Sequence, residues 1–216
     1  MNMEHVLAHH FKNPEQAYQA SKLGLWLFLV TEVLLFGGLF VTYIMMRGKY
    51  PETFAAAHHF LNKPLGAVNT VVLICSSLTM AMAVDKSKRA LSKKASLYLL
   101  LTLLCGATFM VIKYFEYQHK FHEGLMPGIH FTNPELTDPH APLFFSLYFM
   151  MTGLHGIHVL VGMGLITWIL IRSLRKEFGP TYYTPVELTG LYWHLVDLIW
   201  IYLFPLLYLI DRYHKF

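Results

Sequence analysis

Five acidic or imidazole side chains fall deep inside apolar runs of this chain, away from the run ends: Glu32, His155, His158, His194 and Asp197. Glu32 lies in the middle of "LWLFLVTEVLLFGGLF", residues 25–40, and the next basic residue after it is Arg47. At hydrocarbon depth a charged group costs at least about 2.5–3.5 kcal/mol, so each such residue marks a site. A carboxyl placed there is neutral and hydrogen-bonded to a neighbouring helix unless a cation or a lipid headgroup partners it. His155 and His158 stand at i, i+3 and share a helix face, and His194 and Asp197 repeat that spacing. Two such pairs on adjacent helices have the residue types for a metal site or for an interhelical hydrogen-bond cluster. A di-iron bundle needs two Glu-x-x-His repeats and two further carboxylates. One Glu, one Asp and three His at depth fall short of that. The expected use is contact with helices, lipid and partner, with no metal ligated by this chain.

These residues lie in three of five apolar runs, which extend over about 23–46, 65–84, 95–117, 141–171 and 188–210. Each is close to or above the roughly 20 residues a helix needs to cross the hydrocarbon layer. The fourth is long for one perpendicular crossing, which predicts tilt or an interfacial start near Pro142. Pro205 is expected to kink the outer end of the fifth. Of the 216 residues 55% are hydrophobic and only 14% charged, against about 25% charged in soluble domains. The fold class is therefore read as all-α membrane protein, a single five-transmembrane-helix bundle over residues 1–216.

Lysine and arginine set the orientation. Ten lie on the side of the N-terminus and the second and fourth connections, and six on the other. Lys113, near a helix end, is expected to snorkel. The N-terminus is thus expected in the cytoplasm and the C-terminus outside. The connection from Gln118 to His140, with Pro127-Gly128, Pro134 and Pro139, reads as an irregular surface loop, and the others as short links. Cys75 and Cys105 sit in apolar runs, which argues against a disulfide framework or a thiolate metal site. The first 22 residues lack an apolar core leading to a cleavage site, so no cleaved leader is expected.

Small and hydroxyl side chains mark faces where helices approach closely. In the second helix Asn69 and Ser76 recur at seven residues, as do Thr70 and Ser77. Gly153 and Gly156, with Gly37, Gly38, Gly162 and Gly164, are read in the same way. Trp193, Asp197 and Trp200 share a face of the last helix, a polarity that contact with lipid alone does not require.

The runs "GLWLFLVTEVLLFGGLF" (24–40), "NTVVLICSSLTMAMA" (69–83), "GATFMVIKYFEY" (106–117), "TGLHGIHVLVG" (152–162) and "GLYWHLVDLIWIYLFPLLYL" (190–209) resemble, in order, subunit III of haem-copper respiratory oxidases. The resemblance is to the five-helix bacterial type and looks most like a cytochrome c oxidase subunit. It implies a non-catalytic component of an oxidoreductase and proton-translocating complex in the bacterial inner membrane. Haem and copper then reside in partner subunits I and II, and this chain holds phospholipid, stabilises subunit I and supports proton uptake. Glu32 matches the family's intramembrane glutamate; His155, His158, His194 and Asp197 match its other polar positions. Membrane lipids and other respiratory complexes are further candidate partners; no nucleic-acid partner is expected. Seven-helix members carry two more helices before the glutamate helix, so another subunit supplies that pair or the lipid sites differ.

Quinol oxidases and relatives linked to nitric oxide reductase also have five-helix members, which leaves the electron donor open. The other classes considered are a bis-histidine b-type cytochrome using His194 with His155 or His158, and a small transporter using Glu32 and Asp197. Repeated halves with broken helices, the usual mark of a transporter, are not visible in the sequence. A haem-copper catalytic subunit needs more intramembrane histidines than the three that lie at depth among 13.

Overall fold

A computed structural model describes residues 13–128 and 130–209. The terminal cations Lys12, Arg212 and Lys215, and Ile210 at the end of the fifth expected span, lie outside the described residues. The elements are α1 (Pro14–Lys49), α2 (Pro51–Ala57), a single 3-10 turn (His58–Phe60), α3 (Lys63–Lys88), α4 (Ser92–His122), α5 (Ala141–Leu174) and α6 (Thr184–Tyr208). Five of them, α1, α3, α4, α5 and α6, are long and apolar enough to cross a membrane.

The helices outrun the apolar runs because their ends are capped in polar sequence. Asn13 accepts a hydrogen bond from the Gln16 N–H at 2.8 Å, and Pro14 takes the first turn, so α1 starts well before Leu23. Asn62 caps α3 through the Leu65 N–H at 3.1 Å, again with a proline in the first turn. Pro205 sits in the last turn of α6, which ends at Tyr208; it has no N–H to give the Ile201 carbonyl oxygen one turn earlier.

Residues 47–64, read as a bare link, contain α2. It is too short to show a period, yet Phe54, Ala57 and His58 are fully buried. The Phe54 ring meets Tyr43 and Phe144 edge-on, both at 5.3 Å between centroids. The longer connection is tied down as well: Asp138 accepts from Thr53 of α2, His140 stacks on Tyr50 at 4.0 Å, and Asn133 donates to the Glu123 carbonyl at 3.0 Å.

Helix α6 is the centre of the bundle and α1 its periphery: half of the apolar window of α6 is buried, against 11% for α1. Helices α3 and α4 form a long antiparallel pair, and α6 packs on both α3 and α5. The closest approach is at Gly162 of α5, where a Cβ would stand 2.6 Å from the Trp193 ring. Gly106 of α4 receives the same ring at 3.1 Å, and Gly66 of α3 receives Phe204 at 2.8 Å.

Gly153 and Gly156, expected to seat a helix, do not. A Cβ at Gly156 meets nothing within 4 Å, and one at Gly153 meets only the Tyr117 hydroxyl at 3.7 Å. The two glycines instead floor an open groove between α4 and α5, of about 450 Å³, lined also by Met110, Tyr117, Phe121 and Leu160. Spacing shows where a helix could approach; it does not show which side of α5 the neighbours occupy. Gly162→Ala is therefore expected to destabilise the chain by about 1–3 kcal/mol through overpacking. Gly156→Ala is expected to cost nothing, since alanine is the better helix former. Detergent-titration unfolding of the two variants separates them.

Candidate functional site

Glu32 on α1 meets His158 on α5, with Oε2 2.8 Å from Nε2. Both side chains are nearly enclosed, 12% and 14% exposed. The other ring nitrogen of His158, Nδ1, lies 2.8 Å from the Leu154 carbonyl oxygen one turn earlier. Phe36 closes the contact edge-on, with 5.4 Å between its ring centroid and that of the imidazole. From α6, the Tyr192 hydroxyl donates to the His158 carbonyl oxygen at 3.1 Å. Three helices thus position one carboxyl–imidazole pair in the middle of the bundle's apolar length.

His155, although on the same face by spacing, does not join it. It is fully buried against Trp200 and Phe109, with ring centroids at 5.3 and 5.5 Å, and neither ring nitrogen has a hydrogen-bond partner among the described residues. His194 turns to α3, where its Nδ1 lies 2.7 Å from the Ser77 hydroxyl. Asp197 is 2% exposed. The Ser77 hydroxyl lies close to it, but that hydroxyl's well-formed hydrogen bond is the one to His194, and neither Asp197 oxygen has a well-formed one among the described residues. The five polar groups are thus spread over three interfaces, and among the described residues no three His, Cys, Asp or Glu side chains converge as metal ligands.

The small-residue face of α3 meets the tryptophan face of α6. The Trp193 indole N–H donates to Ser76 Oγ at 2.6 Å, and the Trp200 indole N–H donates to Thr70 Oγ1 at 3.1 Å. Thr70 Oγ1 in turn donates to the Gly66 carbonyl oxygen at 2.9 Å. Asn69 is fully buried on this face, and its side-chain amide has no hydrogen-bond partner among the described residues.

One polar cluster escaped the sequence reading. Lys113 does not snorkel: its side chain is 8% exposed and its ammonium lies 2.9 Å from Glu116, itself 2% exposed. Lys113 also donates to the Tyr208 hydroxyl at 2.8 Å, and Glu116 accepts from both Tyr148, at 2.8 Å, and Tyr208. The ammonium stands 4.6 Å from the Trp200 ring centroid, a favourable cation–π distance. The signal was the Lys-x-x-Glu in "IKYFEY", an i, i+3 pair on one face. Its proximity to a helix end made it look interfacial, whereas the folded ends of α5 and α6 enclose it.

The cytochrome c oxidase subunit III family model matches residues 3–211. Quinol oxidase subunit 3 of Bacillus subtilis strain 168 is similar at 31% identity, over 96% of this chain and 97% of its own length. Cytochrome c oxidase subunit 3 of Bacillus sp. strain PS3 is 31% identical over 87% of this chain and 84% of that protein. Its counterpart from Thermostichus vulcanus is 32% identical over 88% of each.

Proposed function

This chain belongs to the cytochrome c oxidase subunit III family, and from that premise we propose that it supports a proton-pumping terminal oxidase of aerobic respiration without a redox centre of its own. As subunit III of a haem-copper oxidase it is a multi-pass membrane protein that works in a complex with other subunits. In this reading it docks on subunit I beside subunit II in the bacterial inner membrane, with the N-terminus in the cytoplasm and the C-terminus outside. The whole-chain correspondence carries the reading: the match spans all five long helices, and the Glu32–His158 contact joins two of the motif runs across the bundle.

Helix α1 is the natural docking element, because its apolar outer residues Leu27, Leu34 and Val41 are more than half exposed in the isolated chain and such surface at membrane depth faces lipid or protein. The open groove over Gly153 and Gly156 offers an acyl chain of a phospholipid an apolar bed. Haem and copper are assigned to the partner subunits, and the donor to cytochrome c. The similarity to quinol oxidase subunits, as high as to cytochrome c oxidase subunits, favours a second reading in which the donor is a quinol.

Purification of the native complex tests both readings. Subunits I and II, stoichiometric haem that stays with them when this chain is stripped away, and oxidation of reduced cytochrome c are the expected results. Oxidation of a quinol instead selects the second reading, and haem retained on this chain overturns both. Glu32→Gln is expected to leave haem content unchanged while shortening the lifetime of the enzyme in turnover, measured as activity remaining after repeated cycles.

A further inference from the structure

We propose that Glu32 and His158 form a single-proton site at membrane depth, in which Glu32 holds the proton as a carboxylic acid and donates it to His158 Nε2. The Leu154 carbonyl oxygen has no hydrogen to give, so across its 2.8 Å contact His158 Nδ1 must be the donor. Nδ1 therefore carries a hydrogen, and a neutral ring in that tautomer presents a lone pair at Nε2. Glu32 Oε2 stands 2.8 Å from that lone pair, and two acceptors cannot share such a contact without a proton between them.

Two arrangements hold that one proton. Either it stays on Oε2, or the O–H bond breaks, an N–H bond forms at Nε2, and a carboxylate faces an imidazolium. The surroundings select the first. The pair is nearly enclosed, with buried Phe36 against the ring, and charge separation in such a medium lacks the solvent that would stabilise it. The titratable groups facing the pair are Tyr192 from α6, engaged with the His158 carbonyl oxygen, and His155 from α5, enclosed by Phe109 and Trp200. Neither is placed to stabilise a carboxylate at Oε2.

His158 is thus a positioning residue, and its tautomer fixes the direction of the Glu32 hydrogen bond. Loss of the proton alone would leave a carboxylate against a lone pair, so the contact as built holds one proton and gives it up only in exchange for another. This deepens the role given to Glu32 in the proposed function and rests on that reading only for how the complex uses the site.

The test is magic-angle-spinning NMR of the assembled complex in lipid, with histidine labelled with nitrogen-15 and glutamate with carboxyl carbon-13. Glu32→Gln and His158→Leu provide the assignments by difference. The expected spectrum shows a neutral His158 protonated at Nδ1 and accepting at Nε2, with a protonated Glu32 carboxyl. In Glu32→Gln the amide still donates to Nε2, so the ring signature persists. In His158→Leu the carboxyl signal moves to that of an acid without its acceptor. An imidazolium ring or an ionised Glu32 overturns the proposal. Turnover lifetime of Glu32→Gln tests the use of the site, so the two readings fail separately.

Discussion

Glu116→Leu is expected to destabilise the chain by about 3–5 kcal/mol, because it leaves the Lys113 ammonium buried without its counter-charge. The enclosure makes the cost high. The Lys113 side chain is 8% exposed, and its remaining neighbours, the Tyr208 hydroxyl and the Trp200 ring, are neutral. The Tyr148 and Tyr208 hydroxyls lose their acceptor at the same time, which adds the penalty of unsatisfied buried donors. The double variant Lys113→Met with Glu116→Leu is expected to recover most of the loss, since removing both charges together removes the desolvation cost as well. Unfolding of the chain in detergent titration gives all three values, and a strong coupling between the two sites is the signature. Equal losses in single and double variants would mean that the lost volume, and not the charge, decides the effect.

Trp193→Ala is expected to cost about as much, roughly 3–5 kcal/mol, through the cavity it opens. The residue is fully buried, and its ring fills the space left by Gly162 on α5 and Gly106 on α4 while its N–H reaches Ser76 on α3. One side chain on α6 therefore touches three other helices. Trp193→Phe keeps part of the volume but strands the Ser76 hydroxyl, and Ser76→Ala strands the indole N–H, each expected to cost about 1–3 kcal/mol. The two together should cost less than the sum of the singles. Unfolding midpoints, with dissociation of this chain from the purified oxidase as a second readout, check the series.

The presence of five crossing helices was legible in the sequence because an α-helix satisfies its own backbone hydrogen bonds, so an apolar run of sufficient length is enough. Caps at Asn13 and Asn62 then set helix starts, at Pro14 and Lys63, that hydropathy alone placed later, far later for α1 than for α3. Helix α2 was missed because seven residues carry too little periodicity; it is a helix because Phe54 and Ala57 have a bundle to bury against. The candidate polar residues were legible for a similar reason: a carboxyl or imidazole stands out when everything around it is hydrocarbon. Lys113 and Glu116 were harder to place, since a charged pair near a helix end reads equally as interfacial.

Partnership was decided by tertiary structure. His155 and His158 share a face by spacing, yet residues three apart differ by about 60° around the axis. That rotation suffices to turn His158 toward Glu32 and His155 toward Trp200. The same small angle separates His194, bonded to Ser77, from Asp197, and about twice that angle separates Gly156, left open, from Gly162, six residues along α5, which receives an indole ring. The sequence by itself determined which segments lie in the membrane, which polar groups go with them, and the family they belong to, because those follow from local composition and order. Which groups meet depended on how the helices rotate and slide against one another, and that is set by packing summed over the whole bundle.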